Sequence, residues 1–201
     1  MGQVGVPAIG TTMNDRIRAF VAIRLSPEVD EAVAHFQASL RSLGGDISWT
    51  KPAAFHLTLR FLGNRVAPAV VGEMIEGMKP IAAVTAPFTV QVRGSGAFPS
   101  LKRPRVIWIG LPGGPLEEVA AKVEALSVRC GFEPETRRFT PHLTIGRVRN
   151  PPRDSRMREA LHAAADHDFG SSLIASMVLY RSHLSPHGAT YEALATLPFG
   201  G

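Results

Sequence analysis

The chain carries the stretch His56-Leu-Thr-Leu59 and repeats it almost letter for letter as His142-Leu-Thr-Ile145. In each copy a polar residue alternates with an aliphatic one, which is the period-two pattern of a strand with one buried face. The histidine and the threonine of each copy therefore share one face, and the aliphatic residues point into the core. Two such strands facing each other across a cleft would present two imidazoles and two hydroxyls, a set of groups suited to a phosphodiester.

The residues before each copy repeat the same plan of a strand followed by a helix. Residues 18–25 predict a buried strand, and Ser26-Pro27-Glu28 predicts the start of a helix that ends at Gly44-Gly45. In the second half, residues 105–109 predict a strand and residues 115–130 an amphipathic helix. Since the strand precedes the motif by almost the same distance in each half, the chain is predicted to form two related lobes around a shared cleft.

The remaining segments predict further strands and helices. They comprise a short strand over 47–49, a turn at Lys51-Pro52, a helix over 68–78, a strand over 88–92, a helix capped by Asp154 and reaching Leu161, and a closing antiparallel pair formed by 173–184 and 190–197. Strands and helices mixed without regular alternation favour the α+β class over a doubly wound parallel sheet. We expect residues 14–201 to form a single bilobal domain, and the Gly-rich residues 1–13 to be a disordered leader.

Composition and charge indicate where the protein is located and which kind of molecule it binds. The chain has 201 residues, a single cysteine and a net charge of +5. No stretch resembles a membrane span or a secretory signal, so we expect a cytoplasmic protein that does not bind membranes. Arginine is dense near the second motif, where it would attract anions such as RNA or nucleotides. These arginines are Arg137, Arg138, Arg147, Arg149 and Arg153.

These motifs resemble those of the 2H phosphoesterase superfamily, and within it the bacterial and archaeal RNA 2′,3′-cyclic phosphodiesterases, also called 2′–5′ RNA ligases. The resemblance extends from about residue 16 to residue 197. It rests on Phe55–Gly63, Gly96–Ser100, Arg103–Trp108, Phe139–Arg147, Leu179–Ser182 with Leu184, and Tyr191-Glu192. It implies a bilobal α+β fold with two pseudo-symmetric antiparallel-sheet lobes, outer helices and a central cleft. It also implies a reaction whose product bears a 2′-phosphate, and the possibility of the reverse 2′–5′ ligation.

The chemistry of such a site follows from its residue types. A 2′,3′-cyclic phosphate opens by in-line attack of water, which requires one group to accept a proton and another to donate one. Imidazole does either near neutral pH, so His56 and His142 are the predicted catalytic residues and no metal or other cofactor is required. Thr58 and Thr144 are predicted to bind the non-bridging oxygens, and Arg147 to clamp the phosphate. We assign His56 as the acid and His142 as the base, although the pseudo-symmetry is almost equally compatible with the reverse.

Aromatic residues near the motifs are candidates for contacts with a base. Phe139, Trp49 and Tyr191 are predicted as possible base-binding residues, because aromatic side chains stack on nucleobases. The expected partner is RNA with a 2′,3′-cyclic phosphate end, bound by a monomer. Two alternatives remain open: a phosphodiesterase acting on a small cyclic nucleotide such as ADP-ribose cyclic phosphate, and a non-catalytic module that binds RNA ends.

Overall fold

The computed structural model describes residues 16–150, 155–186 and 188–201. Two predictions, the leader at residues 1–13 and the cap at Asp154, lie outside these residues. The strands within them are β1 Ile17–Ile23, β2 Asp46–Trp49, β3 Leu57–Val66, β4 Phe88–Arg93, β5 Ser95–Phe98, β6 Val106–Gly110, β7 His142–Asn150, β8 Asp168–Ile174, β9 Ser176–Ser185 and β10 Gly188–Pro198. The helices are α1 Pro27–Arg41, α2 Pro68–Ala83, α3 Leu116–Arg129 and α4 Arg156–Ala163, and a short 3₁₀ turn spans Pro52–Ala54.

One sheet of eight strands joins the two halves of the molecule. Its order is β10-β9-β1-β3-β7-β6-β5, with β2 also paired to β7, and β4 and β8 form a separate antiparallel pair. The strand pairs are antiparallel throughout. The two motif strands, β3 and β7, are therefore neighbours at the centre of the sheet. The predicted α+β class is confirmed.

The aliphatic residues of both motifs are buried, as their alternation predicts. Leu57 and Leu59 on β3 are 0% and 6% exposed, and Leu143 and Ile145 on β7 are both 0% exposed. The histidine and threonine of each copy are only partly buried. Since successive side chains of a strand point to opposite faces, this contrast places the polar residues on the face away from the core.

Helix α1 connects the first half of the chain to the second motif strand. It begins with Pro27 after Ser26, and its side chains Val29, Val33 and Leu40 are buried at helical spacing. The buried Gln37 donates from its amide nitrogen to the carbonyl of Ile145 at 2.8 Å and to that of Thr50 at 2.7 Å. Because these carbonyls lie beside β2 and β7, the helix anchors the strand that carries His142.

The structure contains a short strand, β5, that the sequence did not predict, and it differs from the sequence-based prediction in two further elements. Helix α2 continues to Ala83 instead of ending at Met78, although Pro80 lies inside it. Its last turn is held by the buried Ala82, whose carbonyl accepts from the Gly200 N–H, and by the Thr85 hydroxyl, which donates to the Ile81 carbonyl. These contacts stabilise the turn that follows the proline, where the helix would otherwise be expected to end.

The second difference concerns the segment predicted as one strand over 173–184. The chain leaves one sheet and enters another at Ala175, so that β8 pairs with β4 while β9 pairs with β1 and β10. A continuous run of β-forming residues gives no indication of such a change of sheet. The predicted pairing of the closing strands, β9 with β10, is confirmed.

Candidate active site

The two motif strands meet at one backbone pair, Leu57 with Leu143. Continuing this antiparallel register by one residue in each direction sets His56 opposite Thr144 and Thr58 opposite His142. All four side chains share the face of the sheet away from the core. The two copies of the motif, 86 positions apart in the chain, therefore lie side by side in the sheet.

Both imidazoles make the same hydrogen bond to the main chain. The Nδ1 atom of His56 lies 2.8 Å from the carbonyl oxygen of Ala54, and that of His142 lies 2.7 Å from the carbonyl oxygen of Thr140. Because a carbonyl oxygen only accepts, each Nδ1 carries a proton and donates it. In the neutral ring, Nε2 then has the free lone pair. Each Nε2 can accept a proton when its ring is neutral and donate one when its ring is charged.

A short turn and an arginine position the carbonyl that holds His56. The 3₁₀ turn Pro52–Ala54 precedes the histidine, and the Phe55 N–H donates to the Pro52 carbonyl at 3.0 Å. Arg24 donates to the Ala53 carbonyl at 2.7 Å and pairs with Asp30 at 3.2 Å. This role of Arg24 was not predicted from the sequence. In the sequence, Arg24 is marked only by its position directly after an apolar strand. A cation in that position is too common to indicate a functional site.

Burial and nearby positive charges shift both histidines in the same direction. The pKa of His56 is lowered to about 4; burial is the largest cause, and the charges of Arg24, Arg147 and His142 contribute to the same shift. Burial also lowers the pKa of His142, and Arg147 adds to that effect. In both residues the hydrogen bond to the backbone carbonyl opposes the shift. The effect of His142 on His56 indicates that the rings are close enough to interact electrostatically.

Aromatic rings pack against each imidazole. The centroid of His56 lies 4.8 Å from that of Phe20 and 4.9 Å from that of Tyr191, which meets it edge to face. The centroid of His142 lies 5.0 Å from that of Phe98, also edge to face. Tyr191, predicted as a base-binding residue, is thus a direct neighbour of His56. The contacts of Phe20 and Phe98 with the histidines were not predicted, because the sequence of a strand does not show which strands will lie beside it.

A cavity of about 790 Å³ opens beside the motif strands. Its lining includes Thr58, His142 and Thr144, together with the predicted phosphate clamp Arg147 and the predicted base-binding residue Phe139. Arg105, which was not predicted as a site residue, lines it too. The cavity therefore unites five of the predicted site residues in one space.

Other predicted residues lie elsewhere. Among the residues that the structure describes, those lining this cavity include neither His56 nor Trp49. Trp49 lies on β2 opposite Gly146 and packs against the core, and its ring leaves only 3.0 Å for a Cβ at position 146. Of the basic cluster, Arg137 and Arg138 line the cavity and Arg149 lies 4.0 Å from Asp46. Arg153 falls outside the described residues.

Neither a metal-binding cluster nor a membrane-spanning helix is found among the described residues. Within residues 16–150, 155–186 and 188–201, no three His, Cys, Asp or Glu side chains are grouped so that they could hold a metal ion. No helix in the same part of the chain combines the length and the apolar character that crossing a bilayer requires.

Comparison with known proteins identifies the family. A sequence profile described as LigT-like phosphoesterase matches residues 23–108 and again residues 109–191. The chain belongs to this phosphoesterase family. One match contains His56 and the other contains His142, so the family repeat coincides with the repeated motif. The family predicted from the sequence is confirmed.

Individual relatives match over most of their length. A protein of Aquifex aeolicus named RNA 2′,3′-cyclic phosphodiesterase is 31% identical over 190 residues, which cover 92% of this chain and 98% of the relative. A protein of the same name from Aeropyrum pernix is 32% identical over 164 residues, which cover 81% of this chain and 92% of the relative. Each alignment therefore spans most of this chain and more than nine-tenths of the relative.

Solved structures agree with the fold. A crystal structure of a Thermus thermophilus protein superposes with a TM-score of 0.78 at 27% identity, covering 92% of this chain and 99% of that one. E. coli LigT complexed with 3′-AMP superposes with a TM-score of 0.73 at 23% identity, covering 92% and 99% of the two chains. The second likeness concerns the fold alone. The predicted bilobal phosphoesterase fold is confirmed.

Proposed function

We propose that this chain is an RNA 2′,3′-cyclic phosphodiesterase that hydrolyses 2′,3′-cyclic phosphate ends to 2′-phosphates. The observation that carries the proposal is the matching contact of His56 and His142, whose Nδ1 atoms each lie within hydrogen-bond distance of the carbonyl oxygen two residues earlier. Two imidazoles held in this way provide two Nε2 atoms for proton transfer on one face of the sheet. Relatives of the same name at 31% and 32% identity support the substrate class.

The proposed reaction is an in-line displacement at phosphorus. The oxygen of water attacks phosphorus while the neutral Nε2 of one histidine accepts its proton. The bond from phosphorus to O3′ breaks, and O3′ takes a proton from the charged Nε2 of the other histidine. Each transfer contributes typically ~10²–10⁴-fold to the rate. The products are a 2′-phosphate and a free 3′-hydroxyl, and the reverse reaction with a 5′-hydroxyl gives a 2′–5′ linkage.

Three further side chains are proposed to bind the phosphate. Thr58 and Thr144 donate from their hydroxyls to the non-bridging oxygens, where charge accumulates in the transition state. The guanidinium of Arg147 lies close enough to lower the pKa of both histidines, so it is also close enough to attract an anion between them. This set of residues needs no metal ion.

The protonation of the rings favours one assignment of roles. His56 is the more deeply buried of the two, and three positive charges lower its pKa against one for His142. With a pKa of about 4, the ring of His56 is neutral at pH 7, which is the form that a base requires. We therefore propose His56 as the base and His142 as the acid, the reverse of the assignment made from the sequence.

The physiological setting is part of the proposal. We propose that the enzyme acts on RNA ends as a monomer in the cytoplasm. The positive net charge of +5 supports a polyanionic partner. Arg105, Arg137, Arg138 and Arg147 all line the cavity beside the motif strands, so part of that charge lies where RNA would enter.

The decisive experiment is incubation with an RNA oligomer that ends in a 2′,3′-cyclic phosphate, followed by mapping of the ribose oxygen that keeps the phosphate. We expect a 2′-phosphate, undiminished turnover in the presence of a chelator, and a loss of at least about 100-fold in kcat for His56→Ala and for His142→Ala. His183→Ala is the matched control, because that histidine pairs with Glu192 on the surface.

Other outcomes separate the competing functions. Faster turnover of ADP-ribose cyclic phosphate than of RNA ends would favour the small-molecule enzyme. Tight binding of the RNA without hydrolysis over hours would favour a binding module. A 3′-phosphate product, or turnover abolished by the chelator, would contradict the proposed mechanism.

A further inference from the structure

The cavity beside the motif strands extends from the phosphate-binding residues to a second wall. That wall is one face of helix α3, formed by Glu117, Ala120, Ala121 and Glu124 at helical spacing. The segment from Glu135 to Thr140 continues it. Pockets of ~300–1,000 Å³ hold small organic ligands, so a cavity of about 790 Å³ has room for a nucleoside next to the phosphate.

Three aromatic side chains line the same cavity. Phe139 and Phe98 line the cavity, and Phe61 does so with 41% of its surface exposed. Phe98 contacts the ring of His142 on the catalytic side. The two alanines on α3 leave a flat apolar surface without long side chains. A space bounded in this way favours a planar aromatic group such as a nucleobase.

Of the three carboxylates on this wall, two are already bound by neighbouring residues. Glu124 pairs with the Nε atom of Arg60 at 2.9 Å and accepts from the Glu135 N–H at 2.8 Å. Glu135 accepts from the backbone and from the guanidinium of Arg137. Glu117 makes no hydrogen bond or ion pair with any residue that the structure describes. It is therefore the carboxylate in this wall that is free to bind a ligand.

A buried arginine makes the wall rigid. Arg60, 9% exposed, lies on β3 two residues after Thr58. It donates to the Ser127 hydroxyl on α3 at 3.1 Å and to the Glu133 carbonyl at 2.5 Å. The strand of the first motif, helix α3 and the segment leading to Phe139 are thus bound to one another. The wall is formed before any ligand arrives, which lowers the entropic cost of binding.

We infer that this cavity binds the base of the nucleotide that carries the cyclic phosphate, and that Glu117 makes it selective for guanine. This inference rests on the proposed function. Guanine presents two N–H donors side by side, at N1 and N2, which match the two oxygens of one carboxylate. On the same Watson–Crick edge, adenine and cytosine present one donor beside an acceptor. Uracil presents one donor between two carbonyls. Only guanine satisfies both oxygens of Glu117.

The test uses four short RNAs with 2′,3′-cyclic phosphate ends that differ only in the terminal nucleotide. We expect kcat/KM to be about tenfold higher for guanosine than for the other three, since a paired hydrogen bond to a charged group is lost with the others. Glu117→Gln replaces one acceptor oxygen by a donor and is expected to abolish this preference. Glu118→Gln is the matched control, because Glu118 is the adjacent residue and pairs with Lys122 on the exposed side of the helix. The control is expected to keep the preference.

Each outcome bears on the inference separately from the proposed function. Equal kcat/KM for the four ends, or a preference unchanged in Glu117→Gln, would overturn the guanine site while leaving the phosphodiesterase standing. If the wild-type protein hydrolysed none of the RNAs, the proposed function would fail. Calorimetric binding of guanosine 2′-monophosphate against adenosine 2′-monophosphate then tests the cavity: about tenfold tighter binding of the guanosine compound, lost in Glu117→Gln, supports the site, and equal binding refutes it.

Discussion

Leu57 and Leu143 are backbone partners at the centre of the eight-stranded sheet, where its two halves meet. Both side chains are 0% exposed. Because alternate residues of a strand face opposite ways, burial of this pair turns the polar residues on either side of it to the opposite face. The register of one apolar pair therefore determines how the two halves of the site are juxtaposed.

The threonines test this juxtaposition. We expect Thr58→Val and Thr144→Val each to lower kcat by about 100-fold, because each removes one hydrogen-bond donor to the transition state. Thr→Ser at the same positions keeps the hydroxyl and is expected to keep most of the activity. Steady-state kinetics on an RNA with a cyclic phosphate end provides the measurement. Valine variants as active as the serine variants would show that the hydroxyls do not bind the phosphate.

The pKa of His56 predicts a pH dependence of folding. Its value of about 4 in the folded protein lies below the ordinary 6.5, so the unfolded chain binds the proton more readily. The stabilisation that follows is complete above pH 6.5 and is lost as the pH falls towards 4. We expect the free energy of unfolding of the wild type to fall by on the order of 2 kcal/mol more than that of His56→Gln between pH 7.5 and pH 4.5. Urea unfolding at the two pH values measures the difference.

The control for this comparison is His183→Gln, a substitution at the surface. It is expected to follow the wild type, because it leaves the buried His56 and its surroundings unchanged. Parallel losses of stability in the wild type and in His56→Gln would mean that His56 titrates normally in the folded state.

The roles of the two histidines can be separated by changing the leaving group. A p-nitrophenyl phosphodiester departs as a stable anion and needs no proton from the enzyme. With His142 as the acid, His142→Ala is expected to lose at least about 100-fold on the cyclic phosphate and only a few-fold on the p-nitrophenyl ester. His56→Ala is expected to lose activity on both substrates. The opposite pattern would restore the assignment made from the sequence.

Arg24 is predicted to act on His56 through the main chain and through its charge. Arg24→Gln removes both the bond to the Ala53 carbonyl and one of the charges that lower the pKa of His56. We expect kcat to fall several-fold, and the acidic limb of the pH profile of kcat/KM to move to higher pH. Arg24→Lys keeps the charge, so the limb is expected to stay near its wild-type position while kcat still falls.

Arg41→Gln is the matched control, because Arg41 is exposed at the end of the same helix that carries Asp30. It is expected to leave both kcat and the pH profile unchanged. A limb that stays in place in Arg24→Gln would indicate that Arg24 serves folding alone.

Local pattern was enough to predict the parts of the molecule that repeat. The alternation in each motif determines which side chains are buried, so β3, β7 and the orientation of the polar residues on them, and of His56 directly before β3, could be predicted from the sequence. Helix α1 was also predictable, because Ser26, Pro27 and the acidic first turn mark its start. The hydroxyl of its N-cap residue, Ser26, makes no capping hydrogen bond. The residue types therefore predicted where the helix begins but not the hydrogen bond expected there.

The missed features depend on contacts between distant segments. Phe98 reaches His142 only because β5, β6 and β7 are neighbours in the sheet, and Phe20 reaches His56 only because β1 pairs with β3. The continuation of α2 past Pro80 depends on the C-terminal residues that pack on its last turn. No window of sequence around any of these residues contains the partner that determines its position.

The main-chain acceptors of the two histidines have a consequence for how the site can vary. A side-chain carboxylate in that position could be deleted by one codon change, but the oxygens of Ala54 and Thr140 belong to every residue type. The path of the backbone therefore determines which nitrogen of each ring carries the proton. Substitutions that preserve the backbone path keep the proton on Nδ1. An insertion or deletion between either histidine and its carbonyl would break that hydrogen bond, even though every named side chain would still be present.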